Sequence, residues 1–301
     1  MVRRVRKAVL PVAGFGTRVL PATKAIPKEM LPVFDRPALQ YVVDEAVQAG
    51  IEHVVFVTGR NKGAIEDYFD VAYELEDSLR RKNKTALLAE LAAVQPRAGS
   101  MSFVRQQAPL GLGHAIWCAR DVIGNEPFAV MLPDMLMMAE PACLRQMMTA
   151  YERVGGNVIA VEETDTPELY GVIDPEEGGR EGRLIKMRGM VEKPRREAAP
   201  SSLFIAGRYI LQPEVFDLLE AQDPGAGGEI QLTDSMAKLM ESQDFHAFAY
   251  GGRSYDCGDK VNYLRAVAAF ALKNADLGAE ARRALLEELD RAEQPALRAA
   301  R

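Results

Sequence analysis

The stretch that most constrains this chain is its beginning, where Ala8-Val9-Leu10-Pro11-Val12 runs without a break into Ala13-Gly14-Phe15-Gly16-Thr17-Arg18, and Pro27-Lys28-Glu29-Met30-Leu31-Pro32 follows closely. An apolar strand ending in a glycine loop leaves backbone N–H groups unpaired at one point, ready to receive a phosphate or the edge of a base. Gly14 and Gly16 can take angles closed to other residues and let a ligand approach the main chain. Arg18, Lys24 and Lys28 can neutralise phosphate oxygens at the same place. Two familiar glycine loops are excluded. The dinucleotide pattern G-x-G-x-x-G needs glycine where this chain has Val19, and Pro21 obstructs the helix that should follow. The Walker pattern G-x-x-x-x-G-K-[ST] is absent.

Apolar, β-branched runs at residues 8–12, 54–58, 102–106, 128–132 and 158–161 read as buried strands. Between them, Leu39, Val42, Val43, Ala46 and Val47 share one helical face, and Ile65, Tyr68 and Phe69 begin another. Such alternation specifies an α/β fold with a mostly parallel, Rossmann-like sheet and helices on both faces. Residues 71–94 read as a solvated helical hairpin away from the sheet. Clustered Gly, Pro and charge at residues 163–200 read as hairpins covering one side of a site. A strand is expected at residues 245–250, then a helix marked by Val261, Leu264, Ala268 and Ala271.

A chain of 301 residues, 48% hydrophobic and 27% charged, can bury a large core. Its net charge of −6 argues against nucleic-acid or anionic-membrane binding and makes the basic residues near the glycine loop a local phosphate site. No apolar stretch approaches the ~20 residues of a membrane span. Cys118, Cys143 and Cys257 lack C-x-x-C spacing, so a cytoplasmic setting is expected.

Asp134 ends the run Phe128-Ala129-Val130-Met131-Leu132-Pro133 and belongs at the carboxyl end of a central strand, where open α/β sheets gather ligands. A carboxylate there binds a cation or caps a helix; Mg2+, which takes one or two carboxylates plus phosphate oxygens, fits the first use. Pro194 biases Lys193 toward extended backbone, and a strand end there sends Glu192 and Lys193 to different sides. Gln106-Gln107 supplies an amide able to match the donor and acceptor edge of uracil or thymine. His53, His114 and His246 are scattered and no G-x-S-x-G elbow is present, so direct displacement fits better than nucleophilic catalysis.

The glycine loop and the segment through Tyr41 resemble the bacterial UTP–glucose-1-phosphate uridylyltransferases of the sugar-nucleotidyltransferase superfamily. The resemblance continues in order through Gly111-Leu112-Gly113-His114-Ala115, Leu132-Pro133-Asp134, Tyr170-Gly171-Val172, Val191-Glu192-Lys193-Pro194, Gly207-Arg208-Tyr209, Gly228-Glu229-Ile230-Gln231-Leu232-Thr233-Asp234 and Asp256-Cys257-Gly258. It implies transfer of a uridylyl group from UTP to glucose 1-phosphate, giving UDP-glucose and pyrophosphate with Mg2+. It assigns the nucleotide to Ala13, Gly14, Gly16, Thr17, Glu29, Gln107 and Gly113, and catalysis to Arg18, Lys28, Asp134 and Lys193. The sugar falls to Gly171, Glu192 and Lys193, and the metal to Asp134 with Asp256. Some relatives carry a second acid directly after the aspartate; here Met135 follows, so the other ligand must come from elsewhere.

The resemblance also implies one nucleotidyltransferase domain over residues 1–275, with a nucleotide-binding half at 6–162 and a sugar-binding half at 163–275. A helix and tail at 276–301 would follow. Leu285, Leu286 and Leu289 form an apolar stripe there, expected to pack in a homodimer or homotetramer. Two other readings remain open: a thymidylyltransferase, since uracil and thymine share a hydrogen-bonding edge, and a non-catalytic regulator that binds a sugar nucleotide.

Overall fold

The computed structural model describes residues 2–225 and 228–293. Strand β1 (Lys7–Pro11) alternates as its sequence demands: Ala8 and Leu10 enter the core on one face of the sheet, Val9 the core on the other. Each such buried Leu or Val contributes about 1.5–3 kcal/mol. The glycine loop continues through single 3-10 turns at Thr17–Val19, Ala22–Lys24 and Lys28–Met30. A small hairpin, β2 (Pro32–Val33) with β3 (Arg36–Pro37), leads into α1 (Ala38–Ala49), which stops at Gly50 in the left-handed region.

The chain then forms β4 (His53–Thr58), α2 (Gly63–Tyr68), α3 (Tyr73–Arg81), α4 (Thr85–Val94), β5 (Met101–Arg105), α5 (Leu112–Trp117), α6 (Arg120–Ile123) and β6 (Phe128–Met131). Helices α3 and α4 pair with each other and bury no residue, the solvated hairpin expected of that charged stretch. There follow β7 (Met135–Ala139), α7 (Cys143–Val154), β8 (Asn157–Glu163), β9 (Gly171–Glu181), β10 (Leu184–Glu192) and β11 (Leu203–Leu211). The described chain closes with α8 (Val215–Glu220), α9 (Leu232–Leu239), β12 (Phe245–Ala249), β13 (Gly252–Asp256), α10 (Lys260–Lys273) and α11 (Gly278–Glu293).

Among the described residues one nine-stranded sheet runs in the order β5-β4-β1-β6-β11-β8-β12-β10-β9. The expected parallel arrangement holds for β5-β4-β1-β6 and again for β8-β12. Elsewhere the sheet is mixed: β11 runs antiparallel to both β6 and β8, and β10 to both β12 and β9. Of these pairs only β9 and β10 are joined directly, by a tight hairpin that permits nothing but an antiparallel return; the others bring together strands far apart in the chain. Strand β8 belongs by sequence to the first half yet lies between β11 and β12 of the second, so the halves share one hydrogen-bonded sheet.

A second, two-stranded sheet pairs β7 with β13 in antiparallel register, Met135 facing Asp256. Helix α11 packs on α10, yet Leu285, Leu286 and Leu289 remain 37%, 44% and 60% exposed. Residues 294–301 of the expected tail lie outside the described residues.

Candidate active site

Strand β6 lies between β1 and β11, and the chain turns sharply at its carboxyl end through Leu132, Pro133 and Asp134 before entering β7. The Asp134 carboxylate accepts from Lys28 Nζ at 2.6 Å, with Arg18 Nη2 at 3.9 Å. Burial pushes this carboxyl up, but the Lys28 ammonium, its hydrogen bond and Arg18 outweigh that and hold it below the usual aspartate value. Lys28 is correspondingly raised: burial lowers it, and Asp134 and Glu29 more than compensate.

Register in the small sheet brings the second acid here. Asp256 pairs opposite Met135, and Cys257 N–H donates to the Asp134 carbonyl at 2.7 Å. Burial first and Asp134 second raise the Asp256 carboxyl above its ordinary value. Gly258 leaves room for both groups: a Cβ there would lie 2.6 Å from Asp256 Oδ1 and 2.7 Å from Arg18 Nη2, so a larger residue would push these side chains aside. Both acids line one cavity. Two hard carboxylate donors at a cavity that admits phosphate oxygens are a donor set suited to Mg2+. Among the described residues no cluster of three or more His, Cys, Asp or Glu could hold a metal, so phosphate and water would have to complete the shell.

Two cavities meet at Asp134, with Arg18, Leu112 and Leu132 as their other shared walls. The first, about 430 Å3, is lined by Ala13, Gly14, Phe15, Thr17, Lys28 and Glu29 from the glycine loop and by Gln106, Pro109 and Gly111 opposite. A Cβ at Gly14 would meet no atom within 4 Å. The room beside the main chain is thus free for a ligand. Gly16 lies just behind, in the left-handed region with φ 66, its carbonyl accepting from Thr23 Oγ1. Lys24 is exposed and lines neither cavity.

The structure separates the two adjacent glutamines. Gln107 is exposed and lines neither cavity, whereas Gln106 lines the first one, its Nε2 3.0 Å from the Gly111 carbonyl and 3.1 Å from His114 Nδ1. With the amide nitrogen so engaged, the oxygen is left to accept. Gly113 also faces away from the ligand space. It is buried against residue 230, its N–H donating to the Ile230 carbonyl at 2.8 Å. Glu29 is nearly fully buried and accepts from Lys62 Nζ at 2.8 Å; burial pushes its carboxyl up, and Oε1 has no partner among the described residues.

The second cavity, about 440 Å3, holds Tyr170, Gly171, Glu192, Lys193, Tyr209 and Thr233. Glu192 stands opposite Gly171 in the β9–β10 register, and Thr233 Oγ1 donates to Glu192 Oε2 at 2.8 Å. A Cβ on Gly171 would sit 3.1 Å from that oxygen. The extended backbone expected at Lys193 is not what forms: its φ is 42, in the left-handed region. The proline disfavours the right-handed helical region for the residue before it, and at this strand end the chain turns left-handed, with Lys193 N–H bonded to the Tyr170 carbonyl at 3.0 Å. In consequence Glu192 and Lys193 do not part; both line this cavity, Nζ 3.8 Å from Glu192 Oε1.

Three contributors escaped the sequence reading. Thr233 holds Glu192, Lys62 pairs with Glu29, and the fully buried Arg208 stands behind the Asp134 turn. Arg208 and Thr233 lie inside the blocks that carry the resemblance, and a lone arginine in the apolar run of β11 marks the first of them; Lys62 has no such signal.

A glycine-loop cavity and a carboxylate–ammonium cavity joined at paired acids and cations define a site for group transfer between two phosphorylated molecules. The nucleotidyl transferase family model matches residues 7–272. The UTP–glucose-1-phosphate uridylyltransferase of Bacillus subtilis is 48% identical over 278 residues, covering 92% of this chain and 94% of that protein. Its counterpart from Komagataeibacter xylinus is 47% identical over 263 residues, covering 87% and 92%. Among solved structures, a UTP-bound UDP-glucose pyrophosphorylase from Acinetobacter baumannii superposes with a TM-score of 0.87 at 44% identity, over 94% of this chain and 99% of that one. A UDP-glucose pyrophosphorylase complexed with UDP-glucose gives 0.81 at 41% identity, over 90% and 100%. This chain belongs to the nucleotidyl transferase family, among its UTP–glucose-1-phosphate uridylyltransferases.

Proposed function

We propose that this enzyme transfers the uridylyl group of UTP to α-D-glucose 1-phosphate, forming UDP-glucose and pyrophosphate. The observation that carries the reading is the junction of the two cavities at Asp134, which lets a nucleotide and a sugar phosphate meet over one carboxylate. Names and ligands of relatives 41–48% identical over most of the chain support the choice of substrates.

The nucleotide lies along Ala13, Gly14 and Thr17, with Gly16 shaping the loop and Glu29 forming part of the floor. Gln106, in place of Gln107, accepts from the base N3–H. Arg18 and Lys28 face the phosphates, and Lys28 exchanges its bond to Asp134 for one to a phosphate oxygen when the nucleotide enters. Glu192, fixed by Thr233, accepts from sugar hydroxyls beside Gly171, and Lys193 neutralises the sugar phosphate. That phosphate oxygen attacks the α-phosphorus in line; a P–O bond forms to it as the bond to the departing pyrophosphate breaks. The nucleophile is already ionised, so alignment and charge neutralisation carry the catalysis. Asp134 and Asp256 would hold a divalent cation such as Mg2+, which would supply Lewis-acid chemistry that draws charge from the transferred phosphate.

Among the described residues no helix is long and apolar enough to cross a membrane, and the three cysteines are free; a cytoplasmic setting suits both. The exposed leucines of α11 support a homo-oligomer, a dimer or a dimer of dimers.

A pyrophosphate-release assay over a panel of nucleoside triphosphates and sugar phosphates tests the reading. Release should require UTP, glucose 1-phosphate and a divalent cation together. Faster release with dTTP than with UTP would transfer the assignment to thymidylyl chemistry, and no release with any pair would leave a binding protein.

A further inference from the structure

Arg208, whose side chain is fully buried, stands behind the turn that carries Asp134. It lies on β11 opposite Met131 of β6. Nε is 3.2 Å from both carboxylate oxygens of Glu45 on α1, and Nη2 donates to Glu45 Oε2 at 2.8 Å. Nη1 donates to the carbonyls of Leu132 at 3.0 Å and Gly207 at 3.1 Å, and Nη2 to the carbonyl of Met135 at 2.8 Å. Leu132 and Met135 bracket Asp134, so one planar group grips both ends of the turn. Glu45 is held in its turn by the N–H of Leu144 at 3.0 Å, in the first turn of α7.

Stability alone gives a poor account of this arrangement. Removing two charges from water is costly, and apolar side chains of similar volume often serve stability as well or better. They cannot gather two carbonyls onto one rigid fork, however, and neither can lysine, whose donors radiate from a single atom.

We propose that Arg208 is a positioning residue for the transfer reaction: it fixes the Leu132–Met135 turn so that the Asp134 carboxylate faces Lys28 and Asp256, while Glu45 keeps the guanidinium in place. The inference rests on Asp134 being an active-site carboxylate, as proposed above.

The test uses the full chain and three variants, Glu45→Gln, Arg208→Lys and the double variant Arg208→Met with Glu45→Leu. Melting temperature, kcat, the KM of each substrate and Mn2+ binding to the UTP-saturated protein by electron paramagnetic resonance are read for each. The double variant leaves the carbonyls of Leu132, Gly207 and Met135 and the N–H of Leu144 without these partners and should melt lower, and its kcat and Mn2+ affinity should each fall roughly tenfold or more, the scale of lost outer-shell support. The KM for UTP should change by less than kcat does, since the glycine loop and Gln106 are untouched and only the Leu132–Asp134 wall of that cavity is loosened. Glu45→Gln, which keeps an acceptor for Leu144, should show the same pattern at smaller amplitude. Should the double variant not fold, the two single variants decide. Parent-like kcat and Mn2+ affinity in the folded variants, whatever their melting temperatures, would overturn the proposal. Asp134→Asn measured alongside separates the causes: if it is as active as the parent, the reading of Asp134 has failed. If it is inactive while the Arg208 and Glu45 variants turn over normally, only the positioning role has.

Discussion

Cys257 donates its backbone N–H to the carbonyl of Asp134 at 2.7 Å, fastening the turn after one strand to the turn after another far along the chain. Through this bond and the Met135–Asp256 register beside it, two acids more than a hundred positions apart come to line one cavity.

Asp134→Asn should fold normally and lose turnover by about a hundredfold or more, since it keeps the size and removes a positioned charge. Steady-state rates across a Mg2+ titration measure this. Near-parental, Mg2+-dependent activity would take Asp134 out of the metal site.

Asp256 gives a pH prediction that needs no catalysis. Its folded carboxyl is raised, by burial and then by Asp134. Above that raised value the charged form is strained in the fold; as pH falls through it toward the unfolded value, the acid protonates and the strain disappears. Asp256→Asn in EDTA should therefore melt higher than the parent at pH 7.5, and the gain should shrink at mildly acidic pH. A gain that is constant with pH, or that grows on acidification, would contradict the shift.

The two glutamines part company under substitution. Gln106→Ala should weaken UTP by about 1–3 kcal/mol, the cost of leaving a buried donor unpaired, and narrow the preference for UTP over CTP. Gln107→Ala should leave both unchanged. An effect confined to Gln107→Ala would return the base contact to Gln107.

Lys193→Ala should raise the KM for glucose 1-phosphate by an amount equivalent to about 1.5–3 kcal/mol, the range for a hydrogen bond to a charged group. The KM for UTP should barely move. A variant with intact sugar-phosphate affinity and damaged UTP affinity would reverse the roles of the two cavities.

Light scattering at micromolar concentration should give at least twice the single-chain mass, and Leu286→Glu with Leu289→Glu should lower it by removing the exposed apolar face of α11. A single-chain mass for the fully active parent would dismiss assembly.

Much of the fold was legible because its cause is local. The strand from Lys7 to Pro11 and the helix from Ala38 to Ala49 carry their periodicity in adjacent residues, and the glycine loop announces itself by composition. What stayed hidden depends on register. Nothing near Asp256 shows that β13 will pair with β7, and nothing near Arg208 shows a glutamate waiting on α1. The choice between Gln106 and Gln107 turned on one residue of position at a strand end, where a shift by one reverses the face. The left-handed turn at Lys193 has no mark in the sequence, because a following proline disfavours one backbone region without selecting among the others.

Strand β11 links β6 to β8 in a single sheet, so the floors of the two cavities are parts of one plate. Their spacing is set before any ligand arrives, as two seats are fixed to one bench. A hinge between halves would have to shear that ladder. Accommodation of substrates of different length therefore falls to the loops above it, and a change in the rung spacing at β11 would mistune both seats at once.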